Sequence, residues 1–234
     1  CLVNKARRLG VNVMTGYKLE KTIQTEDGRF MLYFKNGQTQ IFDRVAITTG
    51  GSPNINDLNH LRELGHEIET PIPSLFTFNI ADKKVLALMG TVVNPVMTSI
   101  SSTKFRSQGP LLVTHWGFSG PAILKLSSHA ARYLHENNYN VDISVNWTNV
   151  ANRSEIEEYI KNIVNENPNK QLASLRPYDM PSRLWTYIID KLCISREKKW
   201  AELGKSGINR IIEALTNDIY HVSGKGVYRD EFVT

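Results

Sequence analysis

Hydrophobic and polar positions repeat in two ways along this chain, and the change between them divides it. At the start, Leu2, Ala6 and Leu9 fall on one face of a helix that Gly10 would stop. VNVMTG then opens a strand. YKLEKTIQT, FMLYFKN and QTQIFDRVAITT alternate apolar and polar residues, the period of half-buried strands. EDGR at 26–29 and KNGQ at 35–38 carry the Asp-Gly and Asn-Gly pairs that suit tight hairpin turns. Residues 1–51 therefore predict a helix, a strand, a meander and a last strand, RVAITT, ending at Gly50-Gly51.

From residue 52 the pattern changes. Leu58, Leu61 and Leu64 predict a short amphipathic helix closed by Gly65, and a strand pair interrupted by Pro71 and Pro73 follows. KVLALMGTVVNPVMTSISST reads as two short strands around Gly90 or Asn94-Pro95. A strand at 111–114 leads through a glycine-bounded turn to a helix begun by Pro121, a residue that suits the first helical position because no N–H bond is lost there. VDISVNW alternates as a strand. Residues 52–150 thus predict a mixed barrel or sandwich with one helix.

Residues 151–224 turn helical. In SEIEEYIKNIVNEN, Ser154 and Glu157 have capping-box spacing, and Ile156, Tyr159, Ile160, Ile163 and Val164 form one apolar face. PSRLWTYIIDKLCI and GINRIIEALTNDIYHV continue that spacing. Trp185, Ile188, Ile189 and Leu192 share a face and are read as core. Residues 225–234 read as a returning strand. The fold class is α+β, a meander followed by a β-rich part and a small helical bundle. Both ends read as cut from a longer protein.

Composition narrows the partners. The apolar share is 41% and the charged share 22%, as in ordinary globular domains, and no apolar run is long enough for a membrane helix. No signal peptide is recognisable, which makes the cytoplasm the default location. The net charge is +5 and the pI about 9.1. The basic residues are dispersed, so a solvated surface accounts for them and nucleic acid is not an expected partner. Cys1 and Cys193 form no CxxC, and Cys193, inside YIIDKLCI, is expected to pack as a small buried thiol. None of the six histidines has HxxxH or HExxH spacing, and no metal site is expected.

Few motifs carry chemistry. GFSGP at 117–121 is not the hydrolase elbow GxSxG, because Pro121 replaces the last glycine, and His115 has no carboxylate nearby to complete a triad. The stretch is either a tight strand-to-helix turn or a loop facing a ligand through its backbone N–H groups. Neither GxGxxG nor GxxxxGK[ST] occurs, so the chain has no phosphate cradle of its own. Gly50-Gly51 either marks a sharp turn or lets the backbone pass close to a ligand.

Read in order, RVAITTGGSP, LGHEIETPIPSLFTF, LMGTVV, GPLLVTHWGFSGPAILKLS and DEFVT resemble a bacterial family of NAD(P)/FAD-dependent oxidoreductases that includes aminoacetone oxidase. The resemblance covers nearly the whole chain, and THWGFSGPAILKLS is its most diagnostic piece. It implies a FAD-binding domain segment at 1–51, a β-rich insertion at 52–150, a helical subdomain at 151–224 and a return strand at 225–234. Thr48, Thr49, Gly50 and Gly51 match a stretch that runs beside the FAD. Leu19 matches a position whose backbone faces the adenine. His115, Ser119 and Gly120 match the family segment and are assigned to a substrate-side loop, with no catalytic residue identified. After Gly51 the chain lacks the family's Gly-Asp-Gly segment.

The resemblance implies a parent that is a flavin-dependent oxidoreductase using FAD, with NAD(P) as a candidate second cofactor and a small molecule as substrate. The missing N- and C-terminal segments of the parent would carry the FAD glycine motifs. The isolated chain is then expected to be colourless and inactive. The alternatives are that the insertion docks a nucleic acid or a protein, or is an inert lid.

Overall fold

The computed structural model describes residues 1–50 and 54–226. It divides into two compact units, the first Cys1–Pro71 and the second Ile72–Val233.

In the first unit, α1 (Leu2–Arg8) leads to an antiparallel meander of β1 (Leu19–Gln24), β2 (Phe30–Phe34) and β3 (Thr39–Phe42), paired in that order. Gly28 and Gly37 take the left-handed turn conformations that the Asp-Gly and Asn-Gly pairs anticipated. A 3-10 turn (Ile55–Leu58) and α2 (Asn59–Arg62) follow, with Leu58, Leu61 and Leu64 half-buried and Gly65 left-handed. Two expected strands do not form. VNVM and RVAITT are not in a sheet, and a strand needs a hydrogen-bonded neighbour, which neither has among the described residues.

The second unit is a closed six-stranded antiparallel barrel with helices, an α+β architecture. Its strands are β4 (Phe78–Ile80), β5 (Val92–Ile100), β6 (Arg106–Val113), β7 (Gly117–Ser119), β8 (Val141–Asn146) and β9 (Asp218–Lys225), in the order β4-β7-β6-β5-β8-β9 with β9 closing on β4. Lys83–Leu86 forms α3, capped by the Asp82 carboxylate, and Val92 then opens one long strand whose register shifts between Val93 and Val96. This is one strand with a bulge at Asn94-Pro95 rather than two short strands. The alternation in VDISVN places Val141, Ile143 and Val145 inward. Phe76, Phe78, Phe118, Trp147 and Tyr220 fill the barrel with them.

α4 (Pro121–His129) begins at Pro121 as the sequence predicts, and α5 (Ala131–Glu136) follows it. Ser127 secures α4: its Oγ donates to Leu124 and accepts from the Phe76 N–H at 3.0 Å.

The helical part holds α6 (Arg153–Glu166), α7 (Ser182–Lys191) and α8 (Gly204–Thr216). The cap of α6 is Asn152, not Ser154. The Asn152 side-chain oxygen accepts from the Ser154 N–H at 3.0 Å, so the helix starts earlier than the Ser/Glu spacing indicated. Trp185, Ile188 and Ile189 are buried and Leu192 packs against them, as their spacing required. Cys193 is exposed, contrary to expectation. α7 has ended, and Cys193 turns into a left-handed conformation that carries its thiol away from the helix face. GINRIIEALTNDIYHV is not one helix either. α8 stops at Thr216, Asn217 leaves helical geometry, and Asp218, Tyr220 and Val222 point inward as β9 closes the barrel.

Candidate functional site

The residues matched to the FAD-side stretch lie in the first unit. Leu19 opens β1, half-buried, opposite Phe34. Thr48, Thr49 and Gly50 are exposed on an irregular segment. Gly51 lies outside the described residues. Gly50 is left-handed, and a Cβ there would meet nothing within 4 Å, so the glycine serves chain direction and its surroundings are open. Val11, Val13, Ile41, Phe42 and Ile47 are exposed apolar side chains of the same unit. The exposed backbone at Thr48, Thr49 and Gly50 leaves room for a ligand beside it. No glycine-rich helix start is available to hold a pyrophosphate.

In the second unit, THWGFSGP is a structural pivot. β7 pairs with β4 on one side and β6 on the other. A Cβ at Gly117 would lie 2.1 Å from the Phe78 carbonyl oxygen, and one at Gly120 would lie 2.8 Å from that of Pro110. Both glycines are therefore required by close strand crossings. Thr114 Oγ1 donates to the Gly117 carbonyl at 3.1 Å, and the Trp116 indole donates to Thr77 Oγ1 at 3.2 Å. His115 is exposed, edge-on to Trp116 at 4.1 Å between ring centroids. Ser119 is half-buried in β7, opposite Leu112. Among the described residues, His115 and Ser119 share no hydrogen bond. The turn explains the spacing of its residues without a nucleophile.

Sequence reading missed a buried polar cluster between the barrel and α7. Asp218 is 3% exposed. Its carboxylate accepts from Trp147 Nε1 at 3.0 Å, from the Tyr220 hydroxyl, and from Lys191 Nζ. Lys191 also lies 4.5 Å from the centre of the Tyr220 ring. Burial, reinforced by the Asp218 charge, pushes the Tyr220 hydroxyl well up, and burial does the same to Tyr187. Both hydroxyls stay protonated and are not bases. The signal was present in NDIYHV: a carboxylate at an inward strand position must be paired.

Beside this cluster is a cavity of about 550 Å³ between α3 and α7, lined by Lys84, Ser182, Arg183, Thr186, Tyr187 and Lys191 among others. Its cations are mostly committed. Arg183 donates to the Ala87 and Met89 carbonyls and Lys191 to Asp218, so the cavity is chiefly a joint between α3 and α7. Among the described residues, no three His, Cys, Asp or Glu side chains are grouped to hold a metal ion, and no helix is long and apolar enough to cross a membrane.

Residues 72–233 match the family model described as HI0933-like protein barrel and H2TH domain. A Haemophilus influenzae protein named ribosomal RNA dihydrouridine synthase is 24% identical over 224 residues, which cover 93% of this chain and 53% of that protein. The chain thus spans about half the length of the relative it matches.

Proposed function

The chain belongs to the HI0933-like barrel and H2TH family, which is of the FAD-dependent oxidoreductase type, and from that premise we propose that it serves a cytoplasmic flavoenzyme that reduces uridine in ribosomal RNA. The observation that carries this reading is the similarity to the H. influenzae rRNA dihydrouridine synthase, which runs through both units. In this reading the substrate is an RNA, where the sequence led to the expectation of a small molecule.

Saturating the uracil C5–C6 double bond adds one hydride and one proton and oxidises the donor by two electrons. A reduced flavin, when bound, would supply that hydride. In this reading the chain's own share is positioning. Leu19 and the Thr48–Thr49–Gly50 segment form part of the edge along the cofactor, and the barrel with its helices receives the RNA. Thr114 and Trp116 hold the turn after β6, and His115 and Ser119 within it have no proton to move.

The test uses the whole protein that contains this chain, purified with flavin and given NAD(P)H and ribosomal RNA lacking the modification. Mass spectrometry of RNA fragments should find a uridine that has gained two hydrogens. Flavin turnover with a small-molecule substrate and no RNA product would overturn the reading.

A further inference from the structure

Three adjoining concavities on the second unit form one trough, because each shares lining residues with the next. The first, about 340 Å³, runs over the outer face of β5, β6 and β8. It shares Asn146, Ala151 and Thr216 with a second of about 310 Å³. That one shares Arg153 and Glu213 with a third of about 590 Å³ along α8.

Strand register explains a polar row along the trough. Arg106 stands opposite Ser99, and Ser99 opposite Ser144, giving a row across β6, β5 and β8. The row continues by hydrogen bonds. Ser144 Oγ donates to Asn217 Oδ1 at 2.6 Å, Asn217 Nδ2 donates to Glu213 at 2.9 Å, and Arg153 donates to Glu213 at 3.1 Å. Arg106 stands at one end and Lys205 at the other, both exposed, and Arg210 beside Lys205 donates to the Leu192 carbonyl. Among the described residues, no aromatic side chain lines any part of it.

We propose that this trough binds the sugar-phosphate backbone of double-stranded RNA, an inference that rests on the RNA-directed reading above and adds the surface and the form of the RNA. Cations at both ends suit phosphates, while hydroxyls and amides between them suit ribose 2′-hydroxyls. Unpaired bases need aromatic platforms, which the trough lacks, so a single strand is the wrong ligand. A protein partner or a lipid surface would call for continuous apolar area, which the row of Arg106, Ser99, Ser144, Asn217 and Glu213 interrupts. Glu213 is paired with Arg153 and hydrogen-bonded by Asn217, and Arg153 also pairs with Glu157, so the charge that faces phosphate rests with Arg106 and Lys205.

The 234-residue chain is titrated with a labelled RNA hairpin, a DNA hairpin of the same sequence and a single-stranded RNA, over a range of salt. The RNA hairpin should bind tightest. Arg106→Glu with Lys205→Glu should weaken it roughly tenfold or more and lower the salt slope by about two, one for each contact removed. Arg106→Gln with Lys205→Gln guards against misfolding and should weaken it less. Lys198→Glu with Lys199→Glu, outside the trough, should change little. Unchanged binding in the Arg106/Lys205 variants, a larger loss at Lys198/Lys199, equal affinity for DNA, or no hairpin binding by the wild-type chain would each overturn the trough. Absence of dihydrouridine in the whole-protein assay would remove the RNA-reducing reading and leave these binding results standing.

Discussion

Trp147 donates its indole N–H to Asp218 across 3.0 Å, and the bond ties the end of β8 to the start of β9 inside the barrel. The same carboxylate takes Lys191 from α7, so one buried charge joins barrel and helices. Lys191→Met leaves that carboxylate with neutral donors only, and Asp218→Asn leaves a cation that can still turn partly to water. Each should destabilise the chain by about 2–3 kcal/mol. The double variant should cost less than the sum, with a coupling of at least about 1 kcal/mol. Urea unfolding of the four proteins gives the cycle, and additive costs would disprove the joint.

The glycines of the β7 turn should differ sharply from a neighbour in β6. Gly117→Ala drives a methyl against the Phe78 carbonyl and Ile80 backbone, where nothing flexible can yield. A loss of about 3 kcal/mol or more, or failure to accumulate as soluble protein, is expected. At Gly109 the nearest atoms to a new Cβ lie 3.5 Å away, so Gly109→Ala meets only its left-handed backbone cost of about 1 kcal/mol. Equal melting temperatures for the two variants would refute the packing account.

Trp185 and Trp200 stack with ring centroids 5.9 Å apart and planes 6° apart, yet their indole N–H groups differ. That of Trp185 donates to the Leu172 carbonyl at 2.6 Å, whereas that of Trp200 is buried without a partner among the described residues. Phenylalanine at either site loses similar apolar area. Trp185→Phe should therefore cost about 1 kcal/mol more than Trp200→Phe, which removes an unsatisfied group. Chemical denaturation distinguishes them.

What the sequence revealed followed from local periodicity. The hairpins at Gly28 and Gly37, the strand at Val141–Asn146 and the face of Trp185, Ile188 and Ile189 depend on neighbours close in the chain. What stayed hidden depends on partners far away. Asp218 looked helical because IIEAL precedes it, and only barrel closure turns Tyr220 and Val222 inward. VAITT has the apolar run of a strand but no paired neighbour here. The trough was unreadable for the same reason: Arg106, Ser144 and Arg153 meet through strand pairing and helix packing, and their sequence neighbours show no basic cluster.

Cysteine chemistry offers a rapid check on the end of α7. Cys193 is exposed in its left-handed turn, and Cys1 is exposed as well. Both thiols should react with a maleimide in the folded protein as fast as in urea to within a few-fold. A Cys193 that labels only after denaturation would return it to the buried position suggested by YIIDKLCI.

Glu213 gives the trough a pH signature. The Asn217 amide, followed by the Arg153 guanidinium, holds its carboxyl below the ordinary value of 4.5. A lowered folded value means that the ionised form favours the folded state. Its contribution is therefore present above pH 4.5 and disappears as pH falls through the folded value. The side chain is 52% exposed, so solvent limits the effect to a few tenths of a kcal/mol. Wild-type and Glu213→Gln melting temperatures should differ slightly at pH 7 and converge as the pH drops below 4.5. The same variant removes the trough's negative charge, with Arg153 still paired to Glu157, so it should bind an RNA hairpin more tightly while folding less stably. Weaker RNA binding by Glu213→Gln at pH 7, with its fold intact, would count against phosphate as the ligand.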